Sequence, residues 1–230
     1  DSTIVDNWAA YLGGGGYAWL SSFDLASNYL INNFAATQGG GLDIWGCNPF
    51  TMTNNTFFLN HTLNNAPAIH VWGYQQSPIF QTSQGQLMHN TFAQNHAPYP
   101  WAIHVGRGTG TPTTTLAFTN TIFDQPGGIY VDFPGQVTLD TTLWQPALLS
   151  MPGQTITGTG SYISSTNYYS DPVFIGSTFH IAPNSPAIDR AASTSVTTDI
   201  DGQTRPNGPR PDIGADEFYC YGLSGVTLTG

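Results

Sequence analysis

The chain contains no lysine. Its four cations are all arginine, set against 14 acidic residues, for a net charge of −10 over 230 residues. Only 8% of residues are charged, where an ordinary soluble domain has about 25%. The surface must then be built from Thr, Ser, Asn, Gln and Gly, which tolerates close contact with another copy better than a charged surface does. Four arginines make no basic patch, which argues against nucleic acid and anionic membrane as partners. No run of about 20 apolar residues is present, so no helix inserts into a membrane. With two cysteines, Cys47 and Cys220, there is no disulfide framework, at most one bond. No stretch reads as a signal peptide, and a start at Asp1 reads as a processed mature chain.

What is present is a repeat. A glycine or small residue leads into an apolar–X–apolar triplet in Gly15-Gly16-Tyr17-Ala18-Trp19, Gly41-Leu42-Asp43-Ile44, Ala68-Ile69-His70-Val71, Ala102-Ile103-His104-Val105 and Gly128-Ile129-Tyr130-Val131. The triplets begin at 17, 42, 69, 103 and 129, a loose period of 25 to 34 residues. A repeat of this size means stacked units that each bury an apolar face against their neighbours. The alternation is that of strands. A second register, Asn32-Asn33-Phe34, Asn54-Asn55-Thr56-Phe57, His89-Asn90-Thr91-Phe92 and Asn120-Thr121-Ile122-Phe123, places Asn at sharp corners and an apolar residue after them to fill the core. One corner and two or three short strands per repeat describe a right-handed, single-stranded parallel β-helix, an all-β solenoid.

Three regions follow. Residues 1–170 carry the coils, with Pro/Gly-rich insertions at Gln75–Gln84 and Gly106–Pro112. Residues 171–218 are a loop-rich segment expected to cap the helix. Residues 219–230 form a tail whose alternating Leu223, Val226 and Leu228 read as a strand free to pair with another copy. The segment contains Asp171-Pro172-Val173-Phe174, Asn184-Ser185-Pro186-Ala187-Ile188-Asp189, Asp199-Ile200-Asp201-Gly202-Gln203-Thr204-Arg205-Pro206 and Asp212-Ile213-Gly214-Ala215-Asp216-Glu217-Phe218. These ordered motifs, with the glycine-led triplets upstream, closely resemble the choice-of-anchor Q proteins, secreted bacterial β-helix proteins. The resemblance implies a pectate-lyase-like fold and an extracellular or cell-surface location. It implies little about activity, because that fold hosts lyases, hydrolases, adhesins and structural proteins.

Within the capping segment, Arg205 and Arg210 are expected to pair with Asp189, Asp212 or Asp216. Asp199 and Asp201 lie in an Asp-x-Asp-Gly that reads as a turn rather than as a calcium loop, which would need further ligands. No cofactor is expected, calcium being the one ion considered. Asn54-Asn55-Thr56 and Asn60-His61-Thr62 fit the glycosylation sequon, a cheap match in so Asn-rich a chain.

The site candidates come from the triplet's middle position, which points out of the coil. Stacking at about 4.8 Å aligns Ala18, Asp43, His70, His104 and Tyr130. As chemistry this row offers an acid–base pair or metal ligands; as plain structure it is a polar stack on a solvated sheet, the favoured reading. A straight ladder converges poorly on one ion, so no metal is assigned. Trp45, Trp72, Tyr74, Tyr99, Trp101 and Tyr130 could form a platform for sugar rings or a protein contact. Glycosidases use clustered carboxylates, and β-helix lyases use calcium-binding acids with a Lys or Arg base. From Ile44 through Phe123 there is no carboxylate, and Arg107 is the only arginine. The sequence thus points to a non-catalytic extracellular structural protein that self-assembles into a filament or surface layer, its partners being copies of itself. A carbohydrate-binding adhesin comes second, and a polysaccharide lyase or glycoside hydrolase third. Cys47 and Cys220, several coils apart, can bond only if the tail folds back or a neighbouring copy supplies the second thiol.

Overall fold

A computed structural model describes residues 2–76, 78–99, 101–106, 113–125, 127–146, 156–176 and 178–219. It is a parallel β-solenoid of about six turns with essentially no helix. One sheet of seven strands stacks Ser2–Val5, Asn28–Ile31, Thr56–Phe58, Thr91–Ala93, Ile122–Asp124, Thr142–Trp144 and Asn167–Tyr169. A second stacks Gly16–Trp19, Leu42–Trp45, Ile69–Trp72, Trp101–Val105, Gly128–Val131 and Ile156–Gly158. A third stacks Phe23–Ala26, Phe50–Thr53, Ser83–Met88, Thr114–Thr119, Gln136–Asp140 and Ser161–Ser164. We call these the first, second and third faces. A short three-stranded sheet of Trp8–Ala9, Phe34–Ala35 and His61–Thr62 joins the first face to the second. The insertion expected at Gln75–Gln84 forms an antiparallel hairpin, Tyr74–Gln76 with Ile79–Gln81.

Period-2 alternation sends every second side chain inward, where like residues stack coil on coil. Phe57, Phe92, Phe123 and Trp144 form one such column, with successive centroids 5.0, 5.4 and 4.0 Å apart and rings within 20° of parallel. Phe23 lies on Phe50 at 5.1 Å, and the ring of Phe50 fills the space above Gly85, where a Cβ would meet Phe50 Cζ at 2.2 Å.

The corners are the second structural device, and they number more than one per coil. Between the third and first faces, Ser27, Asn54, His89, Asn120 and Thr141 take left-handed backbone, with φ between 53° and 55°. Between the first face and the short sheet, Asp6, Asn32, Leu59 and Gln94 do the same, at φ 51° to 57°. The pair Asn32-Asn33 therefore aligns with Leu59-Asn60, not with Asn54-Asn55 as the sequence suggested; the coil mate of Asn54-Asn55 is Ser27-Asn28. After each corner, asparagines bond in ladders, all of them buried except Asn7. Asn28, Asn55 and Asn90 make one, and Asn7, Asn33, Asn60, Asn95 and Gln125 make the other. Asn33, Asn55, Asn60 and Asn95 each accept from the coil before and donate to the coil after, which pairs these buried amides with one another. This excludes the sequon reading: Asn60 is fully buried in its ladder, and the Asn54 amide donates to Thr198 O at 2.7 Å.

Among the described residues, the contacts of the C-terminal segment lie on the flank of the solenoid rather than across the end of the last coil. The segment runs back along the side of the solenoid, beside the first face and its corner. Its contacts include Phe179 on Phe58, Thr198 O on Asn54, Asp212 O on His89, Ala215 N on Thr91 Oγ1, and Ala192 on Asn120. Ile181, Ala187, Ala191 and Ile213 bury against Ile122 and Leu143 there. The left-handed corner line leaves a polar row on the flank, His89 and Asn120 among it, and the returning segment satisfies it.

Candidate functional site

The outward row of the second face is real but begins one residue away from its expected start. Tyr17 pairs with Asp43, Asp43 with His70, His70 with His104, and His104 with Tyr130. Ala18 instead pairs with Ile44 and faces the core. A one-residue slip exchanges the two faces of a strand.

The row is buried, not solvated. Asp43 and His70 have no exposed surface, and His104 has 5%. The half-buried rings of Trp45 and Trp72, 5.1 Å apart, lie over it; Trp72 stands 4.4 Å from His70 and 6.0 Å from His104. These two tryptophans thus roof the row. Trp101 and Tyr130 close the far end at 4.9 Å, with Tyr130 5.2 Å from His104. Under the roof, His70 Nδ1 lies 2.6 Å from Asp43 Oδ1, which also accepts from Trp45 Nε1 at 2.8 Å. His104 Nε2 lies 3.1 Å from Asp132 Oδ2, a partner that no motif or spacing signals. Burial, and then the neighbouring His70, push the His104 pKa down to about 4 against the pull of Asp132. His104 is therefore neutral at pH 7.

An Asp–His pair at this distance can orient an imidazole as a base. Here the free edge of that imidazole, His70 Nε2, is itself buried and without a hydrogen-bond partner, as is Asp43 Oδ2. A substrate cannot reach it in this packing. The arrangement does what a buried pair does: it fixes neighbouring coils relative to one another.

The C-terminal segment is organised by Arg205, whose side chain is fully buried. Its guanidinium pairs with Glu217 at 3.2 Å and donates to His89 Nδ1 at 2.8 Å and to the carbonyls of Asp212, Gly214 and Ala215 at 2.7 to 3.1 Å. Glu217, not Asp189, Asp212 or Asp216, is thus its ion partner. Arg210 is exposed and forms no ion pair among the described residues; its backbone amide alone donates to Asp189 Oδ1, at 3.2 Å. The acids serve mainly as backbone acceptors. Asp199 holds the amides of Asp201 and Gln203, and Asp212 those of Asp189 and Phe218. The Asp199 carboxylate is taken up by the amides of its own turn and by that of Glu217. Asp201 instead turns to His180 at 2.6 Å, and Asp216 stands 4.0 Å from the same imidazole. Nothing around Phe179-His180-Ile181 in the sequence signals this.

Among the described residues Cys47 is a free, buried thiol beside Ser21 Oγ at 3.5 Å. Cys220 and the assembly candidates Leu223, Val226 and Leu228 lie outside the described residues. The chain matches no family model, no curated protein and no solved structure.

Proposed function

We propose that this chain is a non-catalytic structural subunit of the cell surface that stacks end to end into a filament. One observation carries the reading. The three long faces run the full length of the solenoid, and among the described residues each ends in a strand with a neighbour on one side only. At one end these are Ser2–Val5, Gly16–Trp19 and Phe23–Ala26; at the other, Asn167–Tyr169, Ile156–Gly158 and Ser161–Ser164. Because the same three parallel sheets end in strands paired on one side only at both ends of the described residues, one copy placed on the next continues all three together. That contact is heterologous and does not close, which is the geometry of a fibre. Both ends show large apolar side chains: Trp19 and Tyr17 are half exposed at the first, and Ile163 and Tyr162 are 71% and 56% exposed at the last. The sealed Asp43–His70 pair and the carboxylate-free middle of the chain support a role without catalysis. The surface location rests on the choice-of-anchor Q resemblance alone.

The test uses edge charges. Tyr17→Lys blocks one end and Ile163→Lys the other, since a lysine on an edge strand opposes pairing. Wild type should give fibres by electron microscopy, each variant alone should give none, and the two variants mixed should give discrete dimers through their intact ends. Wild type that sediments as a monomer at high concentration refutes the reading.

A second reading has its own observation. Beside the first corner, Asp6, Asn7, Trp8, Asn32, Phe34 and His61 line an open cleft of about 330 Å³. Trp8 is 70% exposed and stacked on Phe34 at 6.0 Å. Exposed rings flanked by amides and a carboxylate suit a sugar. Loss of glycan-array binding in Trp8→Ala supports the adhesin; no binding by wild type removes it.

A further inference from the structure

The strongest unassigned chemistry lies neither in the buried row nor at the ends of the solenoid but in the returning segment. His180 Nε2, Asp201 Oδ2 and Asp216 Oδ1 lie within 4.8 Å of one another, the one such group of three among the described residues. We propose that these three side chains form a site for a divalent transition metal that clamps the Phe179–Ile181 stretch to the Asp199–Phe218 stretch.

The ligands are held before any ion arrives. Asp216 uses its other oxygen, Oδ2, to accept from Ile181 N at 2.7 Å, so Oδ1 is the one left to face His180. Asp199 builds the turn with its own carboxylate, which frees that of Asp201 from any structural duty in the loop. Tyr29, on the first face, stands near Asp201, whose charge adds to burial in raising the phenol's pKa, so the site lies against the coil beneath. Outer partners such as the Ile181 amide orient metal ligands.

Space and an unmatched acceptor lie beside them. A cavity of about 210 Å³ is walled by His180, Asp216, Thr178, Gln203 and Glu217. Gln203 Oε1 is buried there without a hydrogen-bond partner. A water on a bound ion would occupy the fourth position and supply the donor that this oxygen lacks. The charge balance agrees. Asp201 and Asp216 both face one imidazole, while Arg205 is ion-paired with Glu217.

The donor set selects the ion. One imidazole nitrogen with two carboxylate oxygens suits Zn²⁺, Mn²⁺ or Co²⁺, while Ca²⁺ and Mg²⁺ take oxygen alone. Ligand atoms about 2.0–2.2 Å from a tetrahedral Zn²⁺ stand about 3.3 Å from one another. The two separations from His180 Nε2, 2.6 and 4.0 Å, bracket that value. Small side-chain adjustments therefore suffice.

The full chain, dialysed against chelator, would be titrated with Zn²⁺, Co²⁺ and Ca²⁺ by calorimetry and by thermal melting. The expected result is one Zn²⁺ per chain and a rise in Tm, with visible bands typical of tetrahedral Co²⁺ and no comparable response to Ca²⁺. His180→Ala and Asp201→Asn, both at partly exposed positions that leave Asp216 and its bond to Ile181 in place, should each weaken Zn²⁺ binding by about tenfold or more. His61→Ala with His96→Ala should leave it unchanged. Absence of Zn²⁺ binding overturns the proposal, as does binding that survives Asp201→Asn or that is lost only in the His61/His96 variant. None of these outcomes depends on whether the chain forms fibres.

Discussion

Replacing Asn60 by alanine tests the part of the fold that no hydrophobic pattern explains. The Asn60 side chain makes four hydrogen bonds. Its Oδ1 accepts from Asn33 N at 3.0 Å and from Asn33 Nδ2 at 2.9 Å, while its Nδ2 donates to Leu30 O at 2.8 Å and to Asn95 Oδ1 at 3.0 Å. The residue is fully buried, so water replaces none of them. At about 1 kcal/mol net per bond, the loss is about 4 kcal/mol, a large share of the ~5–15 kcal/mol that holds a domain together. The neighbouring corner residue is the control. Leu59 is 41% exposed and sits at φ 53°, a conformation that asparagine adopts more easily than leucine. Leu59→Asn should therefore leave stability unchanged or raise it by up to about 1 kcal/mol. Urea titration followed by tryptophan fluorescence and by circular dichroism reads both variants from the shift in midpoint. If Asn60→Ala costs less than about 1 kcal/mol, no more than one bond's worth, the coils are held by core stacking alone and the ladder contributes nothing.

Acid should act on the buried row through His104. Its pKa in the folded chain, about 4, lies below the ordinary 6.5, so its contribution is complete above pH 6.5 and is lost as pH falls through the window down to 4. Between pH 7 and pH 5 this single group should cost about 2 kcal/mol. Asp124 and Asp212, each pushed up to about 6 chiefly by burial, work in the opposite direction over part of that range. The measurement is accordingly the difference between wild type and His104→Gln in urea midpoint at the two pH values; equal pH dependence in both would show that His104 does not carry the effect. In the core, Gly85→Ala should destabilise by about 1–3 kcal/mol through the clash with Phe50. Phe50→Leu in the same chain should recover part of it, and a double-mutant cycle without coupling would dissociate the glycine from the ring.

The coils were legible in the sequence because a solenoid repeats its constraints. Each apolar–X–apolar triplet states the same period-2 strand, and five of them at a loose spacing leave few other architectures. What sequence reasoning misjudged was register and cover. The glycines before Tyr17 obscure where the first strand of the second face begins, and one residue of slip is enough to send Ala18 inward in place of Tyr17. Asn-Asn recurs at two different corners, so a search for it merges two ladders into one. The outward direction of Asp43 and His70 was readable, but their burial was not, because it depends on Trp45 and Trp72 folding over them from alternate positions of the same strands.

The returning segment shows the same limit more sharply. Its motifs suggest a lid for the last coil because the chain reaches them last and a solenoid end needs covering. The structure puts them along the side, where the left-handed corner line leaves His89, Asn120 and the buried Thr91 hydroxyl to be satisfied, and Arg205, Ala192 and Ala215 meet those groups. Once the segment is spent on the flank, the last described coil keeps its edges, Tyr162 and Ile163 stay exposed, and the first and last described coils present the same three sheets. The displaced lid and the proposed filament are thus linked: a segment that covered Ser161–Ser164 would have removed the surface on which the next copy is proposed to stack.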